Sequence, residues 1–194
     1  MSATPDPART PPVSDTYWNW AALGVALVGV AGSLWLSIVM DLKACALCFY
    51  QRSFVMGVAA ILAVGLLAKV RAAGLLSILC LPMALAGLLI AFFHVNLERT
   101  KVLECPEGVF GWGTAPGQSL ALYLVLAVVL CIDLAGGKAL QISLIPTAGA
   151  VVLGVLIALG CLKSNPPLAK APDKPYPSDQ KIEICRPPYV PPEQ

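Results

Sequence analysis

Two cysteines separated by two residues, Cys45 and Cys48, lie in the segment LKACALCFYQR between two long apolar runs. A Cys-x-x-Cys pair can cycle between dithiol and disulfide, and it usually lowers the pKa of one thiol enough to make a usable thiolate. Arg52 follows Cys48 by four residues, so one helical turn would bring its guanidinium to the same face. The pattern predicts a redox-active pair at the start of a helix, where the positive end of the helix dipole also favours a thiolate.

The composition is that of a membrane protein. Of the 194 residues, 58% are hydrophobic and only 12% are charged, whereas a soluble domain is usually about 45–50% apolar and about 25% charged. A net charge of +2 gives no reason to expect a nucleic-acid partner. Seven cysteines beside one histidine favour thiol chemistry over a zinc site.

Uncharged runs divide the chain into candidate membrane spans. A spanning helix needs about 20 mostly apolar residues. The second and fourth runs are shorter than that, and Phe49 and Tyr50 would lengthen the second, as Asp133 at the headgroups would lengthen the fourth. The sequence therefore predicts an all-α, polytopic membrane protein with five spans, in residues 16–40, 53–68, 72–93, 117–132 and 139–162.

Three regions follow from these spans. Residues 1–15 form a Pro-rich leader that we expect to be disordered and cytoplasmic. The first apolar run is too long for the h-region of a signal peptide, so we expect a retained helix and a transmembrane redox domain over residues 16–162. Residues 163–194 form a Pro-rich extracytoplasmic tail that should have no core of its own.

Five spans place the two termini on opposite sides of the membrane. Lys and Arg residues in the short loops are too evenly divided between the two sides to decide the orientation. The cysteines are more informative, because Cys45, Cys48, Cys105 and Cys185 all fall on the same side. Disulfides persist where the environment is oxidising. We therefore assign that side to the periplasm or cell exterior, and the N-terminus to the cytoplasm.

The remaining cysteines and the histidine have plainer interpretations. Cys80 and Cys131 lie inside spans and are expected to be small core hydrophobes. Cys161 ends the fifth span. His94 ends the third span on the side of the Cys-x-x-Cys, where a lone histidine is more often an interfacial cap than a catalyst. Arg52 could likewise be an ordinary snorkelling residue.

A zinc site is an alternative use of the cysteines outside the spans. Cys45 and Cys48 would supply two ligands, and Cys105 and Cys185 the other two. Structural zinc sites are usually built from closely spaced ligand pairs, which disfavours this reading. A thiol pair at the membrane edge has a more direct partner in a lipid-soluble quinone, which would carry electrons away through the bilayer.

Three motifs resemble those of the DsbB family, the quinone-dependent membrane oxidases that reoxidise a periplasmic dithiol donor. CALCFYQR resembles the family's Cys-x-x-Cys signature, FFHVNLE the His-containing end of its third helix, and CPEGVFGWGTAPGQSL its approach to the fourth helix. The resemblance covers roughly residues 18–135. It implies a four-helix bundle in the bacterial inner membrane, a bound ubiquinone or menaquinone, and a DsbA-like donor of the thioredoxin fold. It also implies that Cys48 is the thiolate that contacts the quinone, with Arg52 and His94 near the ring.

The chain departs from the family pattern in its second cysteine pair. That pair normally lies within the loop between the third and fourth helices, but here the loop holds Cys105 alone. A fifth span then returns the chain to a tail that contains Cys185. Either the second pair is split between loop and tail, or it is incomplete. We expect Cys105 to pair with Cys185, because a mobile tail can bring two Cα atoms within the roughly 7 Å that a disulfide requires. Cys161 is the competing partner.

The sequence thus predicts a thiol:quinone oxidoreductase that supports disulfide formation, with Cys45, Cys48, Cys105 and Cys185 as its redox residues. Arg52 and His94 are the candidate quinone-binding residues. One alternative is an enzyme of the vitamin K epoxide reductase type, in which we would expect the membrane-proximal Cys-x-x-Cys late in the bundle. Another is a non-enzymatic membrane scaffold that binds metal through four cysteines.

Overall fold

The computed structural model describes residues 14–70, 74–136, 144–177 and 180–191. These residues form five α-helices, and each is long and apolar enough to cross a membrane. Residues 1–13 of the predicted leader lie outside the described residues. The helices are α1 (Ser14–Ile38), α2 (Ala46–Leu67), α3 (Leu75–Arg99), α4 (Ala115–Gly136) and α5 (Leu144–Ser164).

The all-α prediction is confirmed, and the differences lie at the helix ends. α1 begins at Ser14, so the last two residues of the predicted leader are helical. α2 begins at Ala46 and includes Phe49 and Tyr50, which makes it long enough to span. α4 continues past Asp133 to Gly136. The Asp133 carboxyl is buried between helices, where the Ser77 hydroxyl donates a 2.6 Å hydrogen bond to it.

The first four helices form a closed bundle. α1 packs against α2 and α4, and α3 packs against the same two helices from the opposite side. A continuous core fills the space between them, and its buried side chains include Ala26, Val58, Leu62, Tyr123 and Leu126. This is the four-helix bundle that the sequence predicts.

α5 lies outside that bundle, against α3. The two helices approach closely at Gly154, where an added Cβ would lie 2.9 Å from the carbonyl oxygen of Pro82. A second apolar cluster, centred on Leu47, Ala86, Ile90 and Ala158, joins α5 to α2 and α3. Cys45 packs against this cluster. α5 therefore adds an apolar wall beside the N-terminus of α2.

The tail after Ser164 has no helix or strand among its described residues, but it is fastened to the rest of the protein. Glu104 in the α3–α4 loop and Arg186 exchange two backbone hydrogen bonds, of 2.7 and 2.9 Å. The Lys43 amide donates to the Glu183 carbonyl at 2.8 Å, and their side chains form a 3.0 Å ion pair. The Arg186 guanidinium stacks 3.5 Å above the Tyr176 ring. Backbone hydrogen bonds therefore hold the tail in place, although it has no hydrophobic core of its own.

Candidate active site

The Cys-x-x-Cys begins α2, as the sequence predicts. Cys45 is the N-cap residue, with an extended backbone, and its sulfur accepts a 3.3 Å hydrogen bond from the Cys48 amide. An N-cap side chain satisfies one of the amides that have no partner in the first helical turn. This cap also turns the two sulfurs towards each other, so that Cys45 Sγ lies 2.8 Å from Cys48 Sγ. Both cysteines are thiols in this structure.

The acidic thiol of the pair is Cys45. Its pKa is lowered to about 5, chiefly by the hydrogen bond from the Cys48 thiol. Burial opposes the shift, and the neighbouring His94 ring contributes to it. We expected Arg52 to favour a thiolate at Cys48. In the dithiol state, the hydrogen bond between the two thiols favours a thiolate at Cys45, just outside the spanning segment of α2.

Cys105 and Cys185 form a disulfide that joins the α3–α4 loop to the tail. The predicted pairing is confirmed, and Cys161 is a free thiol. The sulfur of Cys185, both sulfurs of the Cys-x-x-Cys and Nε2 of His94 all lie within 4.8 Å of one another. The fold therefore brings together two cysteine pairs that are far apart in the sequence.

His94 lies between these two pairs near the end of α3, and its side chain is fully buried. Its Nε2 atom is 3.3 Å from Cys185 Sγ, 3.4 Å from Cys105 Sγ and 3.9 Å from Cys45 Sγ. Nδ1 is buried and has no hydrogen-bond partner within the described part of the chain. The simple role of an interfacial cap does not fit a ring that contacts three sulfurs.

A cavity of about 370 Å³ lies within the bundle, and Cys48 lines it. Its walls come from α1, α2, α4, the α1–α2 connection and the loop that precedes α4, and they are mainly apolar. Arg52 lines this cavity and His94 does not. The two residues that we expected near a quinone ring are thus placed differently, with Arg52 at the cavity and His94 at the second cysteine pair.

Arg52 is held in place by two serines of α1. Its Nε donates to Ser33 Oγ at 2.7 Å, and its Nη2 donates to the Ser33 carbonyl at 3.0 Å and to Ser37 Oγ at 2.5 Å. No carboxylate among the described residues forms an ion pair with it. A cation held by neutral groups inside a membrane helix is typical of a functional site.

Gln51 is a cavity residue that sequence reasoning missed. It is only 5% exposed, and its Oε1 accepts a 2.7 Å hydrogen bond from Ser119. Its Nε2 is buried without a partner among the described residues, an arrangement that costs about 1–3 kcal/mol unless something else satisfies the donor. The available signal was a neutral polar residue next to Arg52 in an otherwise apolar helix. Tyr123 also lines the cavity, and its hydroxyl donates to the Gln51 carbonyl.

The other cysteines divide as follows. Cys80 is fully buried in the core, as predicted. Cys131 is exposed on the surface of α4, so the prediction that it lies in the core is wrong. The zinc alternative needs four thiolates, and the disulfide removes those of Cys105 and Cys185. A four-cysteine metal site would therefore require the reduced protein.

Comparison with known proteins supports the same chemistry. The family model "Disulfide bond formation protein DsbB" matches residues 15–162. The chain is 37% identical over 87 residues to the SPbeta prophage-derived disulfide bond formation protein B of Bacillus subtilis, a match that covers 43% of this chain and 56% of that relative. It is 27% identical over 129 residues to disulfide bond formation protein C of Bacillus subtilis, with 60% of this chain and 89% of the relative covered.

A probable disulfide formation protein of Chlamydia caviae is 26% identical over 127 residues, again covering 60% of this chain and 89% of the relative. No solved structure matches the chain. The family match ends at Leu162, so the tail that carries Cys185 lies beyond it. Most of the chain, including nearly all of the five helices and the whole Cys-x-x-Cys, is covered by the family model, and the protein belongs to the DsbB family of membrane disulfide-forming thiol oxidoreductases.

Proposed function

We propose that this protein oxidises an extracytoplasmic dithiol donor of the thioredoxin fold, similar to DsbA, and passes the electrons to a membrane quinone. One observation carries the proposal: the Cys45–Cys48 pair has the Cys105–Cys185 disulfide on one side and a cavity within the helix bundle on the other. A thiol pair in this position can exchange with the disulfide and also reach a ligand in the bundle.

The residues of the cavity fit a quinone headgroup. Small-molecule sites are usually apolar pockets of about 300–1,000 Å³ with a few placed polar groups. Here the apolar walls suit a ring, while the unpartnered Gln51 amide and the Arg52 guanidinium are donors that suit its carbonyl oxygens. A bound ubiquinone or menaquinone would supply the acceptor for two electrons and two protons. Gln51 and Arg52 would hold it, and Cys48 would face it.

The donor's electrons would enter at Cys105. A shallow groove between the loop and the tail is lined by Cys105, with Glu98 and Leu103 on one side and Tyr189 and Val190 on the other. A donor thiolate in this groove attacks Cys105 Sγ, and the Cys105–Cys185 bond breaks with its electron pair on Cys185. The donor's second thiol then displaces Cys105, so the donor leaves oxidised and this pair is left as a dithiol.

The second exchange would take place between the two pairs of this chain. With Cys45 and Cys48 oxidised, the Cys185 thiolate attacks Cys45, and the electron pair leaves on Cys48 at the cavity. Cys105 then attacks Cys185, which re-forms the Cys105–Cys185 disulfide and releases Cys45. The arrangement in the structure, a Cys45/Cys48 dithiol beside a closed Cys105–Cys185 disulfide, corresponds to the state after this exchange and before the quinone is reduced.

The test is quinone reduction by the purified full-length protein, with dithiothreitol as the dithiol and decylubiquinone as the acceptor. Cys48→Ala should abolish turnover, because the described residues hold no other free thiol pair in contact. Cys131→Ala is the matched control and should retain activity, since Cys131 lies on the outer surface of α4. Quinone reduction by Cys48→Ala at the wild-type rate would contradict the proposed mechanism. Stoichiometric zinc in a purified protein that never reduces quinone would instead favour the metal-binding scaffold.

A further inference from the structure

His94 occupies a position that the proposed exchange leaves without a role. We propose that His94 is a catalytic acid–base group for thiol–disulfide exchange between the two cysteine pairs, and that Nε2 is the atom that carries the proton. This inference rests on the proposed function and deepens it. Its geometric basis is the simultaneous contact of one ring nitrogen with Cys45, Cys105 and Cys185.

Those three sulfurs are the three that take part in the last step of the exchange. Cys105 is the attacking sulfur, Cys185 is the sulfur attacked, and Cys45 is the leaving sulfur. A neutral imidazole nitrogen can accept a proton, and an imidazolium can return it. Nε2 lies 3.4 Å from the attacking sulfur and 3.9 Å from the leaving one. One group can therefore deprotonate the first and support the charge on the second.

The step balances in protons and electrons. The Cys105 thiol gives its proton to Nε2, and its sulfur attacks Cys185 in the Cys45–Cys185 mixed disulfide. The Cys105–Cys185 bond forms, the Cys45–Cys185 bond breaks, and the electron pair leaves on Cys45. The proton stays on the imidazolium, directly beside the new Cys45 thiolate. The lowered pKa of Cys45, to which His94 contributes, agrees with this pairing.

Burial explains why the step needs an internal base. Cys105 is 8% exposed and lines the groove that the donor enters, while Nε2 of the fully buried His94 is 3.4 Å from its sulfur. Once the donor has left, this nitrogen is the base beside the attacking thiol. Thiolates are the nucleophiles in disulfide exchange, and a buried thiol that cannot lose its proton reacts slowly. Nδ1 of His94 has no partner in the described residues, so the polar contacts of the ring there are those that Nε2 makes with the three sulfurs.

The experiment uses full-length protein in detergent, freed of quinone and fully oxidised, then mixed with one equivalent of dithiothreitol. Acid quenching, alkylation and peptide mapping follow the disulfides over time. In the wild type the Cys45/Cys48 dithiol should appear with Cys105–Cys185 re-formed. His94→Gln should slow this last step by on the order of 10²-fold, the lower range for acid–base catalysis. The Cys45–Cys185 mixed disulfide should accumulate, and imidazole should restore part of the rate in His94→Gly.

Asn96→Gln is the control, because Asn96 is exposed two residues away on the same helix. Equal rates for His94→Gln and wild type would overturn the role of His94 and leave the proposed function intact. A wild type that never moves electrons from Cys105–Cys185 to Cys45–Cys48 would instead overturn the proposed function. If the variants fail to fold, the wild-type rate of this last step is compared in heavy and light water. The rate should be lower in heavy water, and equal rates would contradict proton transfer in this step.

Discussion

At the scale of the residue, the two cysteines of the Cys-x-x-Cys are placed for different tasks. One can exchange with the second cysteine pair, and the other can contact a ligand in the cavity. Cys45 faces His94 and the second cysteine pair, whereas Cys48 faces the cavity. The N-cap geometry of Cys45 produces this separation, because it places one sulfur outside the first turn and the other on the bundle face of α2. The low pKa of Cys45 and the apolar cavity beside Cys48 thus arise from the same local structure.

The pKa of Cys45 gives a pH-dependent test. Because the folded-state pKa is lowered to about 5, the thiolate should persist above that value and be lost as the pH falls through it. In the dithiol form, the rate of Cys45 alkylation by iodoacetamide should be level above about pH 6 and fall below it. Cys48→Ala should move this transition towards the ordinary thiol value of about 8.5, since the Cys48 hydrogen bond is the largest cause of the shift.

Arg52 gives a second test, through the quinone concentration dependence. Arg52→Ala should raise the quinone KM by on the order of tenfold, the equivalent of one charge-assisted hydrogen bond of about 1.5 kcal/mol. Arg52→Lys should be milder but not silent, because lysine lacks the planar fork that binds Ser33 and Ser37 together. Arg99→Ala, at the exposed end of α3, is the matched control. An unchanged quinone KM in Arg52→Ala would show that Arg52 does not bind the quinone and is an ordinary snorkelling residue.

Gln51 gives a third test, which separates binding from turnover. Gln51→Leu keeps roughly the same volume but removes the amide donor that has no partner in the described part of the chain. It should therefore weaken binding of decylubiquinone by about tenfold and also relieve the cost of a buried unsatisfied group. The expected result is a higher quinone KM with an unchanged or higher Tm in the absence of quinone. A lower KM would show that the amide does not contact the ligand.

At the scale of the element, α5 and the tail supply the second cysteine that the α3–α4 loop lacks. α5 packs along α3, adds an apolar wall near Cys45 and returns the chain to the side of the Cys-x-x-Cys. The backbone pairing of Glu104 with Arg186 then sets the register that places Cys185 opposite Cys105. The loop–tail disulfide is therefore a product of element packing rather than of a flexible chain alone.

Removal of the tail should separate quinone binding from oxidation of the donor. A chain ending at Ser164 keeps all five helices and the cavity, but it loses Cys185. It should still bind decylubiquinone, while oxidation of a reduced thioredoxin-fold protein should fall to background. Glu183→Ala is the control, since it removes only the side-chain partner of Lys43 and leaves the backbone pairing in place. Full oxidation of the donor by the shortened chain would take the tail out of the electron path.

Much of this arrangement could be predicted from the sequence, because apolar runs and Cys-x-x-Cys spacing are local signals. The five helices are of this kind. The pairing of Cys105 with Cys185, 80 residues apart, is instead inferred from the number of spans, which returns the tail to the side of the α3–α4 loop. The burial of Asp133 could not be predicted, since it depends on a hydroxyl from α3 that meets it across the bundle. The position of His94 was also beyond reach, because α3 directs its ring into a space bounded by the loop and tail. The burial of Asp133 and the position of His94 both depend on contacts between segments that are far apart in the sequence.

At the scale of the whole molecule, both redox pairs lie at one end of the bundle. Cys45 precedes α2, Cys105 precedes α4 and Cys185 follows α5, so the topology brings all three to the same side. The opposite end carries the buried Ser77–Asp133 pair. A bundle with this polarity can accept electrons from only one side of the membrane, which makes its orientation decisive for the proposed function.

Reporter fusions test that orientation. Five membrane-spanning helices require the two ends of the helical region to lie on opposite sides. Alkaline phosphatase, which is active only outside the cytoplasm because it needs disulfides, should be active when fused after Gln194. The same reporter fused after Lys69, at the turn beyond α2, should be inactive, and a cytoplasmic reporter such as β-galactosidase should show the reverse. Activity of the phosphatase only at Lys69 would place both cysteine pairs in the reducing cytoplasm, where the Cys105–Cys185 disulfide would not persist and a donor could not be oxidised through it.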